Sequence, residues 1–144
     1  MAQHPIVGTW AFVASEWKRA DGRHANPFGA GAMGVLMYDA SGHMSAQIMH
    51  ADRPPVTTIA PTIDAAFGLA IPGFLAYAGT YEVDDAAGVL THRVVVSSFP
   101  AWVGTEHRRR FVIEGETLTL RDDLTTADGV AVAASTTWRK MGRG

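Results

Sequence analysis

Cysteine is absent from the 144 residues, which excludes a disulfide framework and any thiolate metal site. Charge of one sign is also missing. A formal net charge of -2 removes broad electrostatic attraction to nucleic acid or to an anionic membrane surface. No apolar run approaches the ~18 residues that a membrane helix needs. The start, Met1-Ala2-Gln3-His4-Pro5, lacks the basic residues and apolar stretch of a secretion signal, so the expected location is the cytoplasm. The histidines show no H-x-H or H-E-x-x-H spacing, and no metal site is expected from them. There is no Gly-rich phosphate loop after a strand-like run and no nucleophile elbow, which disfavours dinucleotide use and serine-hydrolase chemistry; no cofactor is expected.

What the sequence does contain is a balance of 47% hydrophobic and 18% charged residues, suited to one globular domain spanning residues 1–144. Short apolar runs recur, each closed by turn residues. Ile6 to Trp17 ends at Asp21-Gly22. Gly34 to Tyr38 and His43 to Met49 flank Asp39-Ala40-Ser41-Gly42, a hairpin turn. Tyr77 to Val83 and Leu90 to Phe99 flank Asp84 to Gly88. Thr105 to Ile113 and Thr117 to Arg121 flank Glu114-Gly115-Glu116, and Val130 to Lys140 follows Asp128-Gly129. These eight candidate strands predict an all-β antiparallel meander, and eight strands close into a barrel with a ligand-sized interior. The stretch Ala51 to Ala76 breaks the pattern. Pro54-Pro55 stops a strand, Thr62 to Ala70 reads as a short helix capped by Thr62, and Pro72-Gly73 interrupts it. The two readings of this insert are a lid over the barrel mouth and a plug over apolar surface.

Alternation along strands assigns inward faces. Tyr77, Gly79, Tyr81 and Val83 form one inward set. Arg93 belongs in water, which turns Leu90, His92, Val94, Val96 and Ser98 inward. His107 and Arg109 share a face with Phe111 and Ile113, and Leu118, Leu120, Trp10 and Phe12 follow the same logic. The strands beside Asp39 are apolar on both faces, so Gln47 is assignable to either. Pairing Val83 with Leu90 sets Tyr81 opposite His92. Pairing Ser98 with Thr105 sets Arg109 opposite Val94, diagonal to His92. Tyr81, His92 and Arg109 then form a polar cluster in an apolar lumen, which a one-residue slip would dissolve.

Several motifs share a source. Gly8-Thr9-Trp10 is similar to the G-x-W signature of lipocalins. The ordered set Gly34-Val35-Leu36-Met37-Tyr38, Gly42-His43-Met44-Ser45, Ala76 to Asp84, Phe99-Pro100-Ala101-Trp102-Val103-Gly104-Thr105, Leu118-Thr119-Leu120 and Thr137-Trp138-Arg139 resembles the bacterial and fungal lipocalin-like domain family over nearly the whole chain. The resemblance implies an eight-stranded barrel with a central pocket. It implies that Trp10 closes the barrel floor beneath a basic side chain, Arg139 by position. Lipocalin-type barrels serve as carriers, and some related barrels catalyse isomerisation, hydration or cyclisation.

Two functions follow. The first is binding of a small hydrophobic or amphipathic molecule by Tyr77, Val94, Val96, Trp102, His107, Phe111, Leu118, Leu120, Gln47 and Phe67. The alternative is a cofactor-independent isomerase, cyclase or hydro-lyase. There His92 is general acid or base, Tyr81 donates to a ligand carbonyl and Arg109 stabilises developing negative charge. Each residue also has a structural reading: His92 hydrogen-bonded to Tyr81 or water, Arg109 paired with Glu106 or Glu82, Trp102 capping the core. In Arg108-Arg109-Arg110 the side chains alternate, so they make no single basic cluster for nucleic acid. A third reading has the barrel filled by its own side chains, with apolar surface mediating assembly such as a homodimer.

Overall fold

The structure is a computed structural model that describes residues 3–53, 73–125 and 128–142. Nine strands are present among them: β1 (Gly8–Arg19), β2 (His24–Ala25), β3 (Met33–Tyr38), β4 (His43–Met49), β5 (Phe74–Asp84), β6 (Val89–Ser97), β7 (Glu106–Glu114), β8 (Thr117–Thr125) and β9 (Ala131–Lys140). Every pairing is antiparallel. Consecutive strands pair from β3 to β9, and β1 pairs with both β3 and β9, so eight strands close into a barrel; β2 lies against the outer part of β1. A single 3-10 turn, Pro100–Trp102, joins β6 to β7. No helix among the described residues is long and apolar enough to cross a membrane.

Alternation builds the wall. On β4, Met44, Ala46 and Ile48 are buried, while His43, Ser45 and Gln47 point the other way. Gln47 therefore turns from the lumen, and its amide donates to Ser45 Oγ at 2.6 Å. On β8, Leu118 and Leu120 are buried in the same manner. The β7–β8 turn pairs Glu114 with Thr117, leaving a two-residue loop whose first member, Gly115, has φ +59°. Positive φ at the first loop position only is the type II′ pattern, which matches the twist of the flanking strands.

Two bulges break strict alternation. At Val13 on β1 the register with β9 shifts between Phe12 and Ala14. Trp10 and Phe12 face inward before the bulge, and Ser15 and Trp17 do so after it. On β6, Ala78 pairs with Val96 but Gly79 pairs with Val94, so Val95 is the extra residue. Val96, expected inside, is consequently 58% exposed. Gly79 permits this bulge, since a Cβ there would stand 1.8 Å from the Arg93 carbonyl oxygen.

Several boundaries also move. β5 begins at Phe74, so the last residues of the expected insert are strand. The expected helix Thr62 to Ala70, with Phe67, lies outside the described residues. β6 ends at Ser97 rather than Phe99, with the Pro100 turn beyond it. β8 runs on to Thr125 and β9 pairs with it throughout.

One end of the barrel is plugged by the N-terminal segment. Ile6 and Trp10 are fully buried. Trp10 Nε1 donates to the Ile6 carbonyl at 2.9 Å. The basic side chain over Trp10 is Lys140, whose Nζ lies 4.6 Å from the ring centroid, and not Arg139. Register decides this: Trp10 pairs with Lys140, while Arg139 faces out opposite Ala11. Lys140 Nζ also donates to the carbonyls of Pro5 (2.9 Å) and Val7 (2.6 Å).

Candidate functional site

At the opposite end the lumen opens into a cavity of about 400 Å³, near the lower end of the range for small-molecule sites. Seven of the eight barrel strands contribute to it. Leu36, Ala46, Ile48, Leu75, Leu120 and Ala134 supply aliphatic wall, and Phe28, Tyr77, Trp17, Trp102 and Trp138 supply aromatic wall. Three of the chain's four tryptophans thus line one space. Ser15, Thr136, His107, Arg109 and Asp122 add polar groups, with Glu106, Arg108 and Asp123 also lining it.

Trp102 is held by rings. It lies edge-on to Tyr77 at 5.4 Å and to Phe99 at 5.8 Å, and its ring is 4.5 Å from that of His107. The Pro100 turn carries it over the wall, and Thr105 ties the turn by donating its hydroxyl proton to the Trp102 carbonyl. With that proton committed, the 3.0 Å contact between Thr105 Oγ1 and His107 Nε2 has the ring nitrogen as donor. Burial, then the charge of Arg109, lowers the His107 pKa and favours this neutral ring.

From Tyr77 on the cavity wall a polar chain runs into the core, where Tyr38 and His92 lie off that wall. His92 is fully buried and contacts two tyrosine hydroxyls: Tyr38 Oη at 2.7 Å from Nε2 and Tyr77 Oη at 3.1 Å from Nδ1. Burial first, then Arg109 and His107, pushes the His92 pKa well below its ordinary range, so the ring is neutral. Burial also raises the pKa of both tyrosines.

Arg109 sits beside this chain, its Cζ 6.0 Å from the Tyr77 ring centroid. Its acidic partner is Asp122, Nε to Oδ2 3.4 Å, and the Arg109 Nε makes no hydrogen bond. Burial works against the Arg109 charge, but Tyr77, Asp122 and Tyr38 together hold its pKa above the ordinary value. Asp122 is pushed upward by burial, against the pull of Arg109. The acids expected to pair with Arg109 serve Arg93 instead: Glu106 at 2.8 Å and Glu82 at 3.9 Å.

The lipocalin-like domain family matches residues 7–141. The chain belongs to that family. Among relatives, it is 31% identical over 109 residues to the 4'-hydroxy-3'-methoxypropiophenone carrier protein ppsC of Aspergillus oryzae, covering 69% of this chain and 98% of the relative. No solved structure matches it.

In this lipocalin-like barrel the expected site residues separate into three groups. Tyr77, Trp102, His107, Arg109 and Leu120 line the cavity. His92, Val94, Leu118 and Phe111 face inward but lie in the core and off the cavity wall, Phe111 edge-on to His4 near the plugged end. Val96 and Gln47 do not face the lumen. Tyr81 does stand opposite His92 in register, but its hydroxyl donates to the Asp39 carbonyl in the β3–β4 turn, and Tyr38 takes the place at the histidine. Arg109 pairs across from Leu90 rather than Val94, and His107 lies opposite His92. Tyr38, Trp138, Asp122, Ser15 and Trp17 were not assigned from sequence. Tyr38 lies on a strand that reads as apolar on both faces. Asp122 follows the expected strand end at Arg121, and the Val13 bulge hides Ser15 and Trp17.

Proposed function

We propose that this barrel binds, and carries, a small apolar molecule with an aromatic body in its lumen. The observation that carries the reading is the cavity of about 400 Å³, walled by three tryptophans and a ring of aliphatic side chains, with a few polar groups among them. The named role of the Aspergillus relative supports it, since the match spans nearly all of that carrier. Catalysis by His92, Tyr81 and Arg109 finds no comparable support. His92 is off the cavity wall with both ring nitrogens engaged, and Tyr81 is turned to a backbone carbonyl.

Titration with 4'-hydroxy-3'-methoxypropiophenone, alongside fatty acids, terpenoids and polyketides, tests the reading. The expected result is saturable one-to-one quenching of tryptophan fluorescence with a rise in Tm. At a hundredfold excess over Kd the stabilisation is about 2.7 kcal/mol, or several degrees. Trp102→Phe and Trp138→Phe each reduce the quench. Neither quenching nor thermal shift with any member of the panel would overturn the proposal.

A further inference from the structure

Tyr38, neutral His92 and Tyr77 carry three donatable protons, one O–H, one N–H and one O–H, yet make two contacts with one another. Each contact uses one proton, so one hydroxyl proton is left over. Two assignments satisfy both contacts. In one, Tyr77 donates to Nδ1, Nε2–H donates to Tyr38, and the spare proton is on Tyr38. In the other, Tyr38 donates to Nε2, Nδ1–H donates to Tyr77, and the spare proton is on Tyr77.

Two observations select the second. Tyr38 is 2% exposed and off the cavity wall, so a spare proton there is stranded in the core, at a cost of about 1–3 kcal/mol. Tyr77 lines the cavity, where an acceptor can be supplied. The distances agree: 2.7 Å suits a hydroxyl donor and 3.1 Å an N–H donor. The guanidinium of Arg109, beside Tyr77 and on the same wall, adds positive charge where an acceptor oxygen would sit.

We propose that the Tyr77 hydroxyl and the Arg109 guanidinium form an anchor for the carbonyl oxygen of a neutral aromatic ketone or aldehyde; the proposal rests on the reading of the lumen as a binding site. Neutrality follows from the charges. Asp122 already opposes Arg109 at 3.4 Å, and the cavity's other charged groups are Glu106 and Asp123 against Arg108. A carboxylate therefore meets no excess of positive charge. The aromatic body fits between Trp102, Trp138 and the Tyr77 ring.

The test compares propiophenone with propylbenzene, which lacks the oxygen, and with phenylacetate, which carries a charge. Tyr77→Phe weakens propiophenone binding about tenfold and leaves propylbenzene unchanged. In the wild-type protein the carbonyl stretch of bound propiophenone lies below its value in a non-hydrogen-bonding solvent, a readout that needs no variant to fold. Equal effects of Tyr77→Phe on ketone and hydrocarbon, or an unshifted carbonyl, overturn the anchor and leave lumen binding standing. Tighter binding of phenylacetate than of propiophenone overturns the neutral ligand class. No binding of any of the three overturns the anchor, and the wider panel above then decides the lumen.

Discussion

Replacing His92 by leucine keeps an apolar filling but leaves the hydroxyls of Tyr38 and Tyr77 without their partner. Each orphaned buried hydroxyl costs about 1–3 kcal/mol, so His92→Leu should destabilise by about 2–6 kcal/mol in urea unfolding. Tyr38→Phe on that background should recover part of the loss, and additive costs would show that the contact is not made. The same histidine gives a pH dependence. Its folded pKa lies well below the ordinary 6.5, so between those values the unfolded chain binds a proton that the folded chain refuses. Stability is therefore complete above about pH 6.5 and falls as the pH drops, by up to ~1.4 kcal/mol per unit from this group. His107 acts in the same direction, and Asp122, with its raised pKa, in the opposite one closer to carboxylate pH. Urea titrations at pH 7.5 and 5.5 should show the loss, and His92→Gln should flatten it.

At the scale of the strand, the β5–β6 pair shows what the sequence can and cannot carry. The turn from Asp84 to Gly88 fixes Val83 opposite Leu90, and alternation then places Tyr81 opposite His92. The far half of the same pair is not legible, because the bulge at Val95 depends on a partner-strand carbonyl above Gly79. That is why Val94 is buried and Val96 is not. Gly79→Ala should destabilise by about 2–4 kcal/mol, since backbone rather than a flexible side chain must move. A neutral result in denaturant unfolding would show that the bulge lies elsewhere. The β6–β7 register was expected with Arg109 at Val94 and is found with Arg109 at Leu90. The difference of four residues is even, so His107 and Arg109 still face inward. An odd slip would have lost the site.

For the molecule as a whole, the closed barrel and its meander order were legible, because eight alternating runs with turn residues between them have few other ways to hide their apolar faces. The ends of the barrel were less so. Alternation says which residues enter the lumen but not how deep they sit, which is why His92 and Leu118 belong to the core while Tyr77 and Leu120 line the cavity. The plugged end rests on Lys140, which ties the Pro5 and Val7 carbonyls and covers Trp10. Lys140→Ala should lower stability by about 1–2 kcal/mol and speed proteolytic cleavage near His4 to Val7, since it releases the segment that Lys140 holds.

The seam between β1 and β9 has a consequence for the order of events in folding. Lys140 meets the Val7 carbonyl across 133 positions of the chain, and among the described residues β9 pairs with the edge of β1 that faces away from β3 and the edge of β8 that faces away from β7. During synthesis the first strand must therefore wait for the last. Until β9 arrives, two strands with unpaired backbone groups face each other across a gap, able to recruit other chains. Closure is an encounter between distant segments, which belongs to the slow, millisecond-to-second regime. A chain stopped after Gly129 should keep both edges open and assemble into large particles by light scattering, while the uninterrupted chain does not.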